Sequence, residues 1–214
     1  MAGRVKVIPH PVEATFQYAG AKKLRQVVCV GRWKDDIQKR TWLLMEVIEL
    51  LVAEDENVLI VIAGEASDKL RDWHRSLATA ARERVKLAGK SERDELVEML
   101  AKSQVFYSPS SYESFGIAAA EALCSGCSVV AGREVTMPSF EWFVGESSGT
   151  LADRNTPDSH LAALLEELAE WDDGRRMPRS ISDTWCERLH ANKVAERVVE
   201  ILRSSGDGHG RISV

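Results

Sequence analysis

Two glutamates, Glu113 and Glu121, flank the predicted start of a helix. A strand-like segment ends at Ser108, and an alanine-rich helix is predicted to begin near Phe115–Gly116. Unpaired N–H groups at a helix start carry partial positive charge and favour phosphate or sugar oxygens. Glu113 could accept hydrogen bonds from sugar hydroxyls, whereas Glu121, within an apolar run, needs a partner or an exposed edge. The alternative is that Glu113 only caps the helix and Glu121 faces water.

A second candidate loop follows the strand-like segment VVCV and contains Gly31 and Arg32, with Lys39 a little further on. A glycine lets the backbone turn tightly, and a guanidinium can fork onto phosphate oxygens while an ammonium adds a point charge. These residue types therefore favour binding of a phosphorylated ligand. The alternative is an ordinary solvated loop, because two aspartates lie among the cations.

The remaining motifs carry weaker signals. Gly89-Lys90 could meet a nucleotide base after its strand, but a simple strand-to-helix turn explains it equally well. Cys124 and Cys127 have the spacing of a redox or metal-binding pair, yet they follow a helical run and no second Cys or His pair has matching spacing. We interpret them as small residues packed at a helix end. The histidines are scattered without a metal-binding spacing, so the sequence predicts no metal site. It also contains no P-loop and no nucleophile elbow.

The candidate residues follow segments that look like buried strands. Short apolar runs alternate with longer stretches of helical period, which suits a parallel sheet covered on both faces. Ligands of such sheets bind at the carboxyl ends of the strands. We therefore predict an α/β fold, a doubly wound, Rossmann-like parallel sheet with helices on both faces. The predicted strands are Val27–Val30, Val58–Ala63, Val85–Leu87, Val105–Ser108 and Ser128–Ala131.

Apolar stripes and capping residues predict the helices. One helix is predicted to start after Ser91 as N-cap, and another after Thr156-Pro157 as cap and first-turn residue. A final helix is predicted from about Asp183 to Leu202. The stripe of the first crossover helix comprises Leu43, Leu44, Val47, Ile48 and Leu51.

The chain is predicted to have three parts. Residues 1–24 are interpreted as a linker or arriving strand, because prolines interrupt the strand-like segment Val5–Ile8. Residues 25–203 form the Rossmann-like domain. Residues 204–214 are rich in small and polar residues and are predicted to be disordered.

Composition narrows the functional classes. The 214 residues suffice for one α/β domain, and the hydrophobic fraction of 44% is that of an ordinary globular protein. The formal net charge of −5, with basic residues scattered among acidic ones, argues against a nucleic-acid partner. No apolar run approaches the ~20 residues that span a bilayer, and the N-terminus lacks a secretory signal. We therefore expect a cytoplasmic protein.

Taken together, these motifs resemble those of the C-terminal, donor-binding domain of family 4 (group 1) glycosyltransferases, enzymes with two Rossmann-like domains in the GT-B fold. The similarity runs from about Val5 to Leu202. The pair Glu113 and Glu121 is its most specific feature, because the Pro-Ser approach and the Phe-Gly interior also match. The matching segments are VGRW…QKR (Val30–Arg40), VIAGE (Val61–Glu65), YSPSSYESFGIAAAEALCSGCSVVA (Tyr107–Ala131) and SGTLAD (Ser148–Asp153).

The resemblance implies transfer of a hexosyl group from a nucleotide-diphosphate sugar, with retention of anomeric configuration and without an obligatory metal or other cofactor. Arg32 and Lys39 would neutralise charge on the leaving diphosphate, and Glu113 would hold hydroxyls of the donor sugar. Glu121 would bind the ribose hydroxyls. The other implied donor-binding positions are Gly31, Phe115, Gly116 and Ile117, with Gly89 and Lys90 as weaker candidates beside the base.

The sequence departs from the family pattern in two places. The segment Arg133–Glu141 stands where the family often has Gly-Gly-x-Pro-Glu, and Arg40 stands where a glycine often follows the lysine. The resemblance therefore implies no donor contacts for this segment.

An N-terminal acceptor domain is expected as the missing partner, so the chain alone should be inactive or nearly so. Any peripheral membrane association would belong to the full enzyme. One alternative is a non-catalytic nucleotide-sugar-binding module or regulatory subunit. Another is an unrelated Rossmann-type protein, which would need an acidic phosphoacceptor or a flavin-phosphate loop, and the sequence has neither.

Overall fold

The apolar, β-branched segments of the sequence form the strands of one parallel sheet. The structure, a computed structural model, describes residues 6–133 and 139–206. The strands are β1 (Leu24–Val30), β2 (Leu59–Ala63), β3 (Val85–Gly89), β4 (Ser103–Ser108), β5 (Ser128–Gly132) and β6 (Gly149–Ala152). They pair in the order β3-β2-β1-β4-β5-β6, and every pairing is parallel. This order confirms the predicted doubly wound, Rossmann-like sheet.

Helices connect the strands and cover both faces of the sheet. They are α1 (Asp36–Lys39), α2 (Thr41–Glu54), α3 (Asp68–Ser76), α4 (Thr79–Arg84), α5 (Arg93–Lys102), α6 (Ile117–Cys124), α7 (Ser139–Phe143), α8 (Pro157–Asp172), α9 (Pro178–Leu189) and α10 (Ala191–Gly206). Right-handed crossovers place helices that lead towards β3 and helices that lead towards β6 on opposite faces. Accordingly, α2 contacts α8, whereas α6 contacts α9. The predicted stripe on α2 is fully buried.

Two helix starts show how well capping residues could be predicted. Thr156 is the N-cap of α8, as predicted, and its side chain accepts the Ser159 N–H at 3.4 Å. The prediction of Ser91 as the N-cap of α5 was wrong, because the cap is Glu92. The Glu92 N–H donates to the Glu95 carboxylate at 3.0 Å, and the Glu92 side chain accepts the Glu95 N–H in return. A glutamate in the first turn makes this capping box possible.

The predicted single helix from Asp183 to Leu202 was also wrong. The chain breaks at His190 into α9 and α10 because the N-terminal segment takes over their hydrogen bonds. The Val12 N–H donates to the Leu189 carbonyl at 2.8 Å, and the Val12 carbonyl accepts the Ala191 N–H at 3.0 Å. The segment before β1 is therefore attached to the C-terminal helices.

The sequence analysis missed β6, a short edge strand that begins with a glycine. Gly149 has φ +154°, and a Cβ there would lie 1.9 Å from the Val129 carbonyl oxygen. Near the N-terminus, residues 6–8 form no strand, and Val5 lies outside the described residues. α10 includes Ser204, and residues 207–214 lie outside the described part. None of the helices described is long and apolar enough to cross a membrane.

Candidate functional site

The carboxyl ends of β1 and β4 open into one crevice. These strands are neighbours in the sheet, although two other strands separate them along the chain, so the strand order reverses between them. Ligands of doubly wound sheets bind at this reversal. The crevice has a volume of about 360 Å³. Its lining comprises Val30, Gly31, Arg32, Gln38, Lys39, Phe106, Ser108, Glu113, Gly116, Ile117, Ala118, Ala119 and Phe140.

An ion pair between Lys39 and Glu113 lies in this crevice. The Lys39 Nζ contacts the Glu113 Oε1, and the two side chains are only 14% and 15% exposed. Glu113 is not the N-cap of the helix that follows, which begins after Gly116, and its carboxylate instead faces a cation from another loop. The pairing joins the two candidate loops that the sequence placed far apart.

The short helix α1 holds Lys39 in position. Asp35 caps it, accepting the Gln38 N–H at 2.9 Å, and Arg40 ends it in the left-handed region at φ 44°. The Gln38 carbonyl accepts the Ser111 N–H at 2.8 Å, so α1 is fastened to the loop before α6. The sequence analysis did not identify Gln38 as a crevice residue, although its position beside Lys39 could have suggested that role.

The turn after β1 positions Arg32. The Gly31 N–H and the buried Trp33 indole N–H both donate to the Ala63 carbonyl, at 3.1 and 2.8 Å. A Cβ at Gly64 would lie 1.8 Å from the Gly31 carbonyl oxygen, so this close approach requires glycine. The exposed Arg32 lines the crevice and makes no ion pair with any residue in 6–133 or 139–206.

The first turn of α6 borders the same crevice. Its N-cap, Gly116, has φ 88° and provides no side chain to cap the helix, so the first N–H groups have no side-chain partner at the cap. Both Gly116 and Ile117 line the crevice. The Phe115 ring, by contrast, packs 5.3 Å from that of Phe143 and lines a neighbouring cavity of about 830 Å³. Only its backbone could serve the predicted role.

Glu121 lies further along α6 and is not among the crevice residues. Its side chain is 13% exposed and lies 3.6 Å from the Arg93 guanidinium. The alternative that Glu121 faces water is therefore wrong. Burial is the main cause that raises the pKa of Glu121 from its ordinary 4.5 to about 7, although Arg93 opposes it.

This raised pKa predicts a pH dependence of stability. The folded chain holds the Glu121 proton more tightly than the unfolded chain, so this carboxyl makes the fold less stable as pH rises from about 4.5 to about 7. A glutamine side chain cannot ionise, so Glu121→Gln should raise the free energy of unfolding by about 2–3 kcal/mol at pH 8 and change it little at pH 4. Urea unfolding of both proteins across this range measures the difference. A difference that does not vary with pH would contradict the assignment.

Gly89 and Lys90 do not join the crevice. They lie at and just after the end of β3, which is two strands away from β1. Gly89 has φ 71°, and its carbonyl accepts the Gly64 N–H at 2.7 Å. The glycine therefore has a structural task in the turn.

Cys124 and Cys127 are buried at the end of α6, as predicted. The Cys127 thiol donates to the Leu100 and Ser103 carbonyls, at 3.1 and 3.2 Å. This buried position explains Cys127 as a packing residue.

Comparison with known proteins identifies the fold and the family. The model of the family "Glycosyl transferases group 1" matches residues 13–182, more than half of the chain. A GDP-mannose:cellobiosyl-diphosphopolyprenol alpha-mannosyltransferase of Xanthomonas campestris is 26% identical over 79% of this chain and 46% of its own length. An uncharacterized glycosyltransferase of Methanocaldococcus jannaschii is 26% identical over 75% of this chain and 40% of its own. The chain thus spans less than half the length of these curated relatives.

Solved structures share the fold. A glycosyltransferase from Rickettsia africae superposes with a TM-score of 0.75 and 14% identity, over 93% of this chain and 56% of that chain. HepE from Anabaena, in complex with UDP, superposes with a TM-score of 0.72 and 16% identity, over 93% and 57%. A variant of S. aureus TarM, in complex with Fondaparinux, alpha-GlcNAc-glycerol and UDP, gives 0.69 and 22%, over 92% and 37%. The chain therefore belongs to the group 1 glycosyl transferases and forms one domain of the GT-B fold.

Proposed function

We propose that this chain is the donor-binding domain of a retaining glycosyltransferase that transfers a hexosyl group from a nucleotide-diphosphate sugar. One observation carries the proposal: Arg32, the Lys39–Glu113 pair and the start of α6 surround a single crevice where the strand order reverses. UDP is present in the HepE and TarM complexes, and the Xanthomonas relative is named for GDP-mannose. These neighbours favour a nucleoside diphosphate as the bound group.

The cations of the crevice suit a leaving diphosphate. Arg32 can fork onto phosphate oxygens, and Lys39 has three N–H donors, so it can serve Glu113 and a phosphate together. Negative charge that builds on the diphosphate during transfer would be stabilised by fixed positive groups in a partly desolvated site. Such electrostatic stabilisation is often the largest contribution to catalysis. These two side chains would do the work that a divalent cation does elsewhere, so no metal is required for transfer.

The acidic groups and α6 suit the sugar and the ribose. Glu113 would accept hydrogen bonds from hexose hydroxyls and face positive charge that develops at the anomeric carbon. The N–H groups at Gly116 and Ile117, which lack a side-chain cap, would donate to sugar or phosphate oxygens. Glu121, further along the same helix, would accept hydrogen bonds from the ribose hydroxyls. These hydrogen bonds would partly replace the Arg93 guanidinium as the stabilising partner of the carboxylate.

Transfer also requires an acceptor held against the donor sugar in a reactive geometry. We propose that another part of the enzyme, an N-terminal acceptor domain, supplies it, and that this chain alone is inactive. A cytoplasmic location stays a prediction from the sequence.

A panel of UDP-, GDP- and ADP-linked sugars at millimolar concentration tests the proposal. A ligand that binds only the native state raises its melting temperature, so one nucleotide class should raise that of this chain by several degrees. Glu121→Ala should abolish the rise, because the ribose hydroxyls lose their acceptor. Differential scanning fluorimetry measures both.

Cys127→Ser is the control, since Cys127 lies beyond the far end of α6 and makes no part of the crevice. Its ligand-induced rise should match that of the unchanged chain. Equal behaviour of the two variants would refute the site assignment. Adding a separately produced N-terminal domain of a relative then distinguishes two roles of this chain. Sugar transfer in the mixture supports an enzyme domain. Intact nucleotide-sugar binding without sugar transfer favours a non-catalytic module.

A further inference from the structure

Three side chains that commonly bind metals converge away from the crevice. The Sγ atoms of Cys124 and Cys186 and a ring nitrogen of His190 all lie within 4.8 Å of one another. Cys124 is the last residue of α6, Cys186 lies within α9, and His190 occupies the break between α9 and α10. The three come from separate elements, so the packing of these elements, and no local motif, brings them together.

Hydrogen bonds hold the cluster in place. The His190 Nε2 lies 3.0 Å from the Phe16 carbonyl oxygen, and the Ser182 hydroxyl donates to the Cys124 carbonyl at 2.5 Å. The Cys186 Sγ lies 3.5 Å from the same hydroxyl and 3.6 Å from the Cys124 carbonyl oxygen. A metal-binding imidazole is commonly oriented by a backbone carbonyl in this way. The ligand atoms are therefore largely prearranged in the folded chain.

We propose that Cys124, Cys186 and His190 form a binding site for one zinc ion. Two thiolates and an imidazole are a ligand set that Zn²⁺ prefers over hard cations such as Mg²⁺. Ligand atoms around a tetrahedral zinc ion are about 3.5–3.8 Å apart, so the observed cluster needs only a small contraction. The thiol protons leave to solvent as the ion binds, and water completes the tetrahedron.

Burial supports the same assignment. Cys124 is fully buried, whereas Cys186 and His190 are half-buried, so an ion can approach from their side. A bound ion would join the end of α6 to α9 and α10. Gly116, at the opposite end of α6, borders the crevice, so the ion would stabilise the fold without contacting the nucleotide. The site is thus independent of the proposed transfer, which needs no metal.

Cobalt substitution tests the site. The chain would be stripped with a chelator, kept reduced with a non-thiol reductant, and titrated with Co²⁺ followed by Zn²⁺. We expect one Co²⁺ per chain, with thiolate-to-cobalt absorption in the near ultraviolet and tetrahedral bands in the visible. Zn²⁺ should then displace the cobalt and raise the melting temperature.

Variants decide which residues bind the ion. Cys186→Ser and His190→Gln should each lose or strongly weaken the cobalt spectrum, while circular dichroism confirms that both fold. Cys127→Ser should keep it, because that thiol faces the Leu100 and Ser103 carbonyls. A reduced chain that shows no thiolate-to-cobalt absorption would overturn the proposal. So would an unchanged spectrum in Cys186→Ser, or an equal loss in Cys127→Ser.

Discussion

Lys39→Ala is expected to weaken binding of the nucleotide-diphosphate sugar about 100-fold. The change removes a largely buried cation from the crevice and leaves the Glu113 carboxylate without its partner. That carboxylate would then repel an incoming diphosphate, so the loss combines missing attraction with new repulsion. Isothermal titration calorimetry with the nucleotide identified in the panel measures the effect.

The matched control is Lys34→Ala. Lys34 lies in the loop just before α1, is 58% exposed and pairs with Glu65, so its removal should change affinity no more than about threefold. An equal loss in the two variants would show that overall charge, and not the crevice, governs binding. Higher ionic strength should weaken every variant in the same direction, since the ligand is an anion.

Glu113→Gln separates the two roles assigned to the ion pair. If Glu113 holds the hexose, the variant should lose affinity for the nucleotide sugar and keep its affinity for the nucleoside diphosphate. The double variant Lys39→Ala/Glu113→Gln should regain part of the diphosphate affinity that Lys39→Ala loses, because the repelling carboxylate is gone. Strict additivity of the two changes would contradict a direct interaction between them.

The sheet could be predicted because its strands carry their own signal. Segments such as Leu59–Ala63 are apolar throughout, as burial on both faces demands. β6 lacks that signal, since it is short and begins with Gly149, whose role is to let the backbone pass close to Val129. The break at His190 was likewise hidden, because the hydrogen bonds that cause it come from Val12 at the other end of the chain.

The candidate site was predictable as a set of residues and not as a set of contacts. Strand ends suggested Arg32 and Glu113, since carboxyl ends of parallel strands meet at one edge of a sheet. Two ion pairs, Lys39–Glu113 and Glu121–Arg93, join distant parts of the chain. Their formation depends on how the segments that carry them pack together. No spacing along the sequence contains that information, and the same is true of the cysteine–histidine cluster.

Arg176→Met is expected to lower the free energy of unfolding by about 3–5 kcal/mol. Arg176 forms a two-pronged ion pair with Glu167, through Nε at 2.6 Å and Nη2 at 2.8 Å, and the two side chains are 5% and 0% exposed. Its Nη1 also donates to the Glu146 carbonyl at 2.7 Å. Methionine fills similar volume but leaves a buried carboxylate whose remaining partner is the Thr150 hydroxyl. Urea unfolding at pH 8 measures the loss.

Arg175→Met provides the comparison, because Arg175 is 55% exposed and its pairs with Glu170 and Asp173 lie at the surface. This change should lower the free energy of unfolding far less than Arg176→Met does. Adding Glu167→Leu should restore much of the stability at pH 8, because a buried ion pair contributes little more than a well-packed apolar pair. If the double variant is as unstable as Arg176→Met alone, the cost lies in lost packing around α8 and not in an uncompensated charge.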